Sequence, residues 1–127
     1  MSYRKERYLS LATLQHGHYL ADMKEQDVHS LFLELLYNGV HGFCFSLYEE
    51  GQRPGDAVTM EQVRRRMEIL RPHTRWIRTF SCTDGNELIP VAAKELGLKT
   101  LVGAWLGDDP EINEREVEGL LNWPTTV

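Results

Sequence analysis

The stretch that decides the fold is Val40-His-Gly-Phe-Cys-Phe-Ser-Leu-Tyr48, a short apolar and aromatic run that is typical of a buried strand. Two further runs of this kind follow, from Thr74 to Cys82 and from Leu98 to Leu106. A helix pattern comes after each of the three. Strands that alternate with helices pair in parallel through right-handed crossovers, so the sequence predicts an α/β fold.

The helix patterns begin and end at recognisable signals. The motif Thr59-Met-Glu-Gln62 has the spacing of a capping box, in which the threonine hydroxyl and the glutamine side chain satisfy early amides reciprocally. The next helix pattern has Pro90 in its first turn and Gly97 at its end. The last covers Glu111 to Leu121. These signals predict three consecutive βα units.

A further helix pattern precedes the first strand. Its apolar residues fall at offsets of 3, 4, 7 and 8 and are Val28, Leu31, Phe32, Leu35 and Leu36. This stripe predicts an amphipathic helix at about residues 23–37, with Gly39 as its stop. We therefore expect a helical extension over residues 1–38, followed by the βα units over residues 39–127.

Composition excludes several classes of protein. The 127 residues include 14 Lys plus Arg and 19 Asp plus Glu, and a net charge of −5 disfavours nucleic acid as a partner. No stretch approaches the roughly 20 apolar residues of a membrane helix, and no export signal is recognisable, so we expect a cytoplasmic protein. Cys44 and Cys82 lie in strand patterns and are expected to be buried, reduced thiols. The sequence predicts neither a metal site nor a cofactor.

Four blocks of sequence resemble the first three βα units of bacterial glycoside hydrolase family 17, the β-1,3-glucanase-like family. They occur in the family's order with compatible spacing, and Asn113-Glu-Arg-Glu116 extends the match. The blocks are Gly39 to Tyr48, Gly51 to Gly55, Thr74 to Glu87 and Leu96 to Gly107.

The resemblance implies a (β/α)₈ barrel that binds a β-glucan in its βα loops and uses two glutamates in a retaining mechanism. The family's glutamates follow the fourth and seventh strands, whereas this sequence shows three strand patterns. A full barrel has about 250 residues, so 127 cannot close one alone, and the resemblance implies a partial barrel over residues 39–127. Glu87 follows the second strand and is interpreted as a helix-start acid, and no catalytic residue is assigned.

Candidate sugar-binding residues lie where the predicted strands end. Tyr48, Glu49 and Gln52, with the neighbouring Glu50, follow the first strand; a solvated loop is an equally good interpretation. Arg78 lies within the second strand, where a structural ion pair is favoured over substrate contact. Trp105 ends the third strand, where core packing is favoured over stacking on a sugar ring.

Other polar residues have ordinary structural explanations. The acids that flank helix starts are interpreted as caps, and they are Asp84, Asp108 and Asp109. The pair His16 and His18 lacks a third metal ligand and is expected to be solvated. Structural roles are expected for His41 and His73, which border strands.

Three strands alone leave exposed the sheet face that a closed barrel would bury. Either the helix at 23–37 folds across this face, or copies of the chain associate and share apolar faces. Association, with the helix contributing, is favoured, so we expect a homo-oligomer. Two functional hypotheses stay open. The chain is either part of a β-glucan hydrolase or transglycosylase that binds sugar without hydrolysing it alone, or a non-catalytic α/β module for self-assembly or partner binding. The sequence does not exclude a fragment of a longer enzyme.

Overall fold

The computed structural model describes residues 22–123, so His16 and His18 lie outside the described residues. These residues fall into two units, the first ending at Tyr37 and the second beginning at Asn38, which are described individually. The first unit contains most of helix α1, Glu25–Asn38, close to the predicted 23–37. Its first turn contains Glu25 and Asp27, whose negative charges are stabilised by the positive end of the helix dipole. Among residues 22–123, no helix is long and apolar enough to cross a membrane.

The second unit alternates strands and helices in the predicted order. Its elements are β1 (Val40–Cys44), α2 (Met60–Leu70), a 3₁₀ turn (Arg71–His73), β2 (Thr74–Arg78), a 3₁₀ turn (Asn86–Leu88), α3 (Ile89–Glu95), β3 (Lys99–Leu101) and α4 (Pro110–Leu121). The three strands form one parallel sheet in the order β1-β2-β3. The predicted α/β class with a three-stranded parallel sheet is therefore confirmed.

The strands are shorter than the apolar runs that predicted them. The ladder ends with bonds from the Phe45 amide to the Arg78 carbonyl at 2.9 Å and from the Thr79 amide to the Leu101 carbonyl at 3.0 Å. Beyond these bonds, Phe45 and Leu47 remain buried in the core without continuing the strand. The apolar run from Val40 to Tyr48 therefore indicates burial, whereas only its first part pairs with the neighbouring strand.

One face of the sheet carries the core. Phe45, Leu47 and Ile77 pack there against buried side chains of α2 and α3, among them Met67 and Ile89. Burying a large aliphatic or aromatic side chain contributes roughly 1.5–3 kcal/mol, so this face dominates the stability of the unit. Gly97 has a positive φ of 73° and ends α3, as predicted, which returns the chain into β3.

The opposite face of the sheet, here called the open face, comprises Trp76, Arg78, Lys99 and Leu101. Trp76 is in register with Lys99, and Arg78 with Leu101, so these side chains point away from buried Ile77. Leu101 is 59% exposed. The Lys99 ammonium lies 5.4 Å from the centroid of the Trp76 ring, a cation–π distance.

Both cysteines are free, but only one is buried. Cys82 is buried as predicted, whereas Cys44 is exposed, so that part of the expectation is wrong. Cys44 is in register with Arg78 and therefore belongs to the open face of the sheet. The apolar run did not reveal that side chains on one of the two faces, among them Leu101, are exposed.

Capping agrees with the prediction in part. Asp109 caps α4 by accepting from the amides of Glu111 at 2.9 Å and Ile112 at 3.3 Å. Thr59 caps α2 by accepting from the Gln62 amide at 3.2 Å, but the Gln62 side chain turns into the core instead of completing a capping box.

Two of the three acids predicted as caps do not cap. Asp84 adopts a positive φ of 54°, and the cap residue of the following 3₁₀ turn is Gly85. Asp108 precedes Asp109, which supplies the oxygen that caps α4. A single capping oxygen satisfies the early amides, so the second acid of the Asp-Asp pair has no such role.

Candidate functional site

The candidate site is the edge of the sheet where the three parallel strands end. Loops of residues 45–59, 79–85 and 102–109 leave β1, β2 and β3 at this edge. Parallel strands deliver all their carboxyl ends to one side, which is why α/β folds place ligands there. The predicted residues Tyr48, Glu49, Gln52 and Trp105 lie in these loops, and Arg78 ends β2.

The first loop is shaped by a buried glutamine on α2. The Gln62 amide nitrogen donates to the Leu47 carbonyl at 2.8 Å and to Gln52 Oε1 at 2.6 Å. Gln52 Oε1 also accepts from the Glu49 backbone amide at 2.8 Å. The Glu49 carboxylate pairs with Arg65 at the surface, a type of ion pair that contributes little to stability. Gln52 and Glu49 are thus brought together, and both already have protein partners.

Tyr48 connects the first loop to the second. Its hydroxyl donates to the Asp84 carbonyl at 3.1 Å, and the Asn86 amide donates to that hydroxyl at 3.4 Å. Burial raises the pKa of Tyr48, and the negative charges of Asp84 and Glu87 act in the same direction, against the Asn86 hydrogen bond. The hydroxyl therefore stays protonated and neutral, suited to hydrogen bonding with other hydroxyl groups.

Arg78 is exposed at the end of β2. Its guanidinium carbon lies 4.8 Å from the centroid of the Phe80 ring, so the cation stacks on an aromatic face two residues along the same chain. No carboxylate within residues 22–123 forms a salt bridge with it, and the favoured ion pair is not found there. Stacking leaves the N–H groups of the guanidinium at the sheet edge.

Trp105 is 65% exposed, so the favoured interpretation as a core residue is wrong. The core lies on the helix-covered face around Ile77, while Trp105 follows the last paired residue of β3. Its backbone is nevertheless fixed, because the Trp105 amide donates to Glu116 Oε2 at 3.0 Å. An indole ring is thus held out to solvent from an anchored backbone.

Glu116 is the residue that sequence reasoning missed. It is only 1% exposed and its carboxylate accepts four hydrogen bonds at the junction of two loops and α4. Besides Trp105, the donors are Ser81 Oγ at 2.5 Å, Thr83 Oγ1 at 2.7 Å and the Cys82 amide at 2.8 Å. Four donors to two oxygens satisfy a buried carboxylate and explain why it is tolerated inside the protein.

The ionisation of this cluster follows from its donors. Burial opposes the charge of Glu116, but the hydrogen bonds from Ser81, Thr83, Trp105 and Cys82 outweigh it and lower the pKa of Glu116. Conversely, burial and then the nearby Glu116 charge raise the pKa of the Cys82 thiol. Glu116 is therefore a stable carboxylate at neutral pH and Cys82 a neutral thiol.

A signal for Glu116 was present in the sequence. Asn113 and Glu116 are three residues apart on α4 and share one helix face. Asn113 forms a reciprocal pair with Gly107, donating to its carbonyl and accepting from its amide at 2.8 Å each. Two polar residues spaced in this way beside a strand end indicate a helix face that satisfies loop amides.

The remaining candidates do not assemble into a site. His41 stacks at 6.0 Å on Trp76 at the start of the sheet, His73 lies in the 3₁₀ turn before β2, and Glu87 is exposed in the 3₁₀ turn before α3. Glu50 is exposed in the loop after β1. Within the part of the chain that the structure describes, no three His, Cys, Asp or Glu side chains are grouped to hold a metal ion.

Comparison with known proteins gives a structural likeness. No protein-family model and no curated protein matches the chain. A solved glycoside hydrolase family 17 β-1,3-glucanosyltransferase from the fungus Rhizomucor miehei superposes with a TM-score of 0.52 and 24% identity, over 70% of this chain and 30% of that chain. An active-site mutant of Rhizomucor miehei β-1,3-glucanosyltransferase in complex with laminaritriose superposes with a TM-score of 0.54 and 24% identity. This superposition covers 68% of this chain and 31% of that chain. The chain thus spans about a third of these structures and resembles a fragment of their fold.

Proposed function

We propose that the chain is part of a glycoside hydrolase family 17-like barrel that binds β-1,3-glucan oligosaccharides at the carboxyl edge of its sheet and does not hydrolyse them alone. The observation that supports this most is the exposed Trp105 ring on a backbone anchored by Glu116. A flat apolar indole face matches the axial C–H groups of a β-linked glucose ring. The bound laminaritriose of one structural neighbour supports the same class of ligand.

Tyr48, Glu49, Gln52 and Arg78 would supply polar contacts around this aromatic platform. The Arg78 guanidinium offers several N–H donors, and the Tyr48 hydroxyl, whose proton is donated to the Asp84 carbonyl, can accept a further hydrogen bond. Glu49 and Gln52 would act mainly by shaping the first loop, since each is already engaged with protein groups. The more specific resemblance to the bacterial members of the family rests on the four sequence blocks described above.

The proposed lack of independent catalysis is supported by two of the carboxylates at this edge, Glu49 and Glu116, and by the number of strand patterns in the sequence. Retaining glycosidases need a proton donor and a nucleophile about 5 Å apart, both open to the substrate. Glu49 is paired with Arg65, and Glu116 is buried with its oxygens fully occupied. Neither is free for that chemistry, and the family positions after a fourth and a seventh strand have no counterpart in this sequence.

Substitution of Trp105 by alanine is expected to weaken laminaritriose binding about tenfold, because stacking area and aromatic attraction are both lost. The measurement is an NMR titration of ¹⁵N-labelled protein that follows the Tyr48 amide in every protein, with the Trp105 indole as a second probe in the wild type and the control. The control is Leu106→Ala, which removes a neighbouring exposed apolar side chain and should leave binding unchanged.

Two results would contradict the proposal separately. Wild-type protein whose Trp105 and Tyr48 signals do not respond to laminaritriose would refute glucan binding and favour the interaction module. Release of reducing sugar from laminarin by the purified chain would refute the lack of catalysis.

Self-association is the alternative that the open face supports. Leu101 is exposed there beside aromatic and cationic side chains, and such a face is covered by protein in a complete barrel. We expect a dimer or larger species in sedimentation velocity at micromolar concentration, and Leu101→Asp should shift it to monomer. The same change at Leu121, a leucine of α4 that is 78% exposed, should not. A compact wild-type monomer would contradict this expectation.

A further inference from the structure

We propose that Glu116 is a positioning residue that sets the affinity of the glucan site by fixing the loops after β2 and β3 in one arrangement. The inference rests on the proposed function, since it concerns the same site. Glu116 Oε1 accepts from Ser81 and Thr83 in the loop after β2. Its other oxygen accepts from the Cys82 amide in that loop and from the Trp105 amide in the loop after β3.

The position of these bonds distinguishes Glu116 from a residue that merely stabilises the fold. The carboxylate is buried and does not reach solvent, so any effect on a ligand must pass through the groups that it holds. One of those groups is the backbone amide of the residue whose ring is exposed. Without that bond, the backbone at Trp105 gains freedom that must be lost again when a sugar binds, and affinity falls accordingly.

The rest of the edge is held by other contacts, which makes the effect local. Gln62 fixes the first loop through the Leu47 carbonyl and Gln52, with no contribution from Glu116. Loss of the Glu116 charge should therefore loosen the Trp105 side of the site and leave the Gln52 side in place. A general loss of structure would loosen both sides.

Glu116→Gln is the variant that tests this. Glutamine has the same shape, and the Ser81 and Thr83 hydroxyls can reverse to accept from its amide, so the fold should be retained while the charge-assisted bonds are weakened. We expect laminaritriose binding about fivefold weaker, and a lower heteronuclear NOE of the Trp105 backbone and indole in the free protein with Gln52 unchanged. Glu118→Gln, an exposed change on the same helix, should alter neither.

The outcomes separate this inference from the proposed function. Absence of laminaritriose binding by the wild-type protein would refute the proposed function. Wild-type binding that Glu116→Gln leaves unchanged, or an unchanged NOE at Trp105, would refute the positioning role alone. If Glu116→Gln does not fold, Thr83→Val removes one donor to the same carboxylate. This variant should show a smaller loss of laminaritriose affinity, again with a lower NOE at Trp105 and an unchanged NOE at Gln52.

Discussion

Replacement of Glu116 by alanine is expected to lower the free energy of unfolding by about 3 kcal/mol. The change removes Glu116 Oε2, which accepts from both the Cys82 and the Trp105 amide, and an amide left without a partner in the interior costs roughly 1–3 kcal/mol. The Ser81 and Thr83 hydroxyls, 3.3 Å apart, can partly compensate by bonding to each other. Relief of the buried charge offsets another part of the loss.

Chemical denaturation at neutral pH measures this difference, and Glu118→Ala on the exposed side of α4 is the control, expected within about 0.5 kcal/mol of wild type. The pH dependence provides a second readout. The pKa of Glu116 is lowered in the folded protein, so its contribution is present above the ordinary glutamate pKa and is lost as the pH falls through the folded value. The difference in free energy of unfolding between wild type and Glu116→Ala should therefore become smaller in acid. A gap that is small at neutral pH, or that widens in acid, would contradict the structural role.

The fold was predictable because its signals are local. Apolar runs, cap residues and glycine stops lie within a few residues of each other, and they predicted three βα units with nearly correct helix bounds. The strand ends were overestimated because Phe45 and Leu47 are buried by α2 and α3 and not by strand pairing. An apolar pattern indicates which residues are buried. The extent of strand pairing is defined by backbone hydrogen bonds, which the pattern does not show.

The candidate site was predictable in position but not in its internal contacts. Strand ends located Tyr48 and Trp105 at one edge of the sheet. Arg78 was predicted within the second strand, which ends at this residue. Sequence alone could not show that Trp105 is exposed, because this depends on which face of the sheet the helices cover. Nor could it show that Glu116 is buried, because its four donors come from segments 11 to 35 residues away. A glutamate on a helix is usually solvated, so the spacing of Asn113 and Glu116 could indicate a polar helix face but not the burial of the Glu116 carboxylate.

Gly119→Ala is expected to destabilise the protein by about 1–3 kcal/mol, although alanine is the better helix former. In an unconstrained helix interior the same change stabilises by about 1 kcal/mol. Here a Cβ at position 119 would lie 2.7 Å from the Cβ of Cys82 and 3.2 Å from its carbonyl oxygen, closer than side chains approach one another. The helix would have to move away from the loop, and one turn earlier that helix carries Glu116 to the same loop. The sign of the effect is therefore opposite to the sign of helix propensity.

Thermal unfolding measures this effect, with Gly107→Ala as the matched control, because a Cβ there meets no atom within 4 Å. The control should change stability by less than about 0.5 kcal/mol. Cys82→Gly removes the contacted Cβ, so in the double variant the cost of Gly119→Ala should shrink, giving a coupling energy of about 1 kcal/mol. Additive effects of the two substitutions on stability would show that there is no steric conflict between positions 82 and 119. Because the Cys82 amide also donates to Glu116, a helix displaced by Gly119→Ala should strain that carboxylate cluster, so the variant should weaken laminaritriose binding in the same direction as Glu116→Gln.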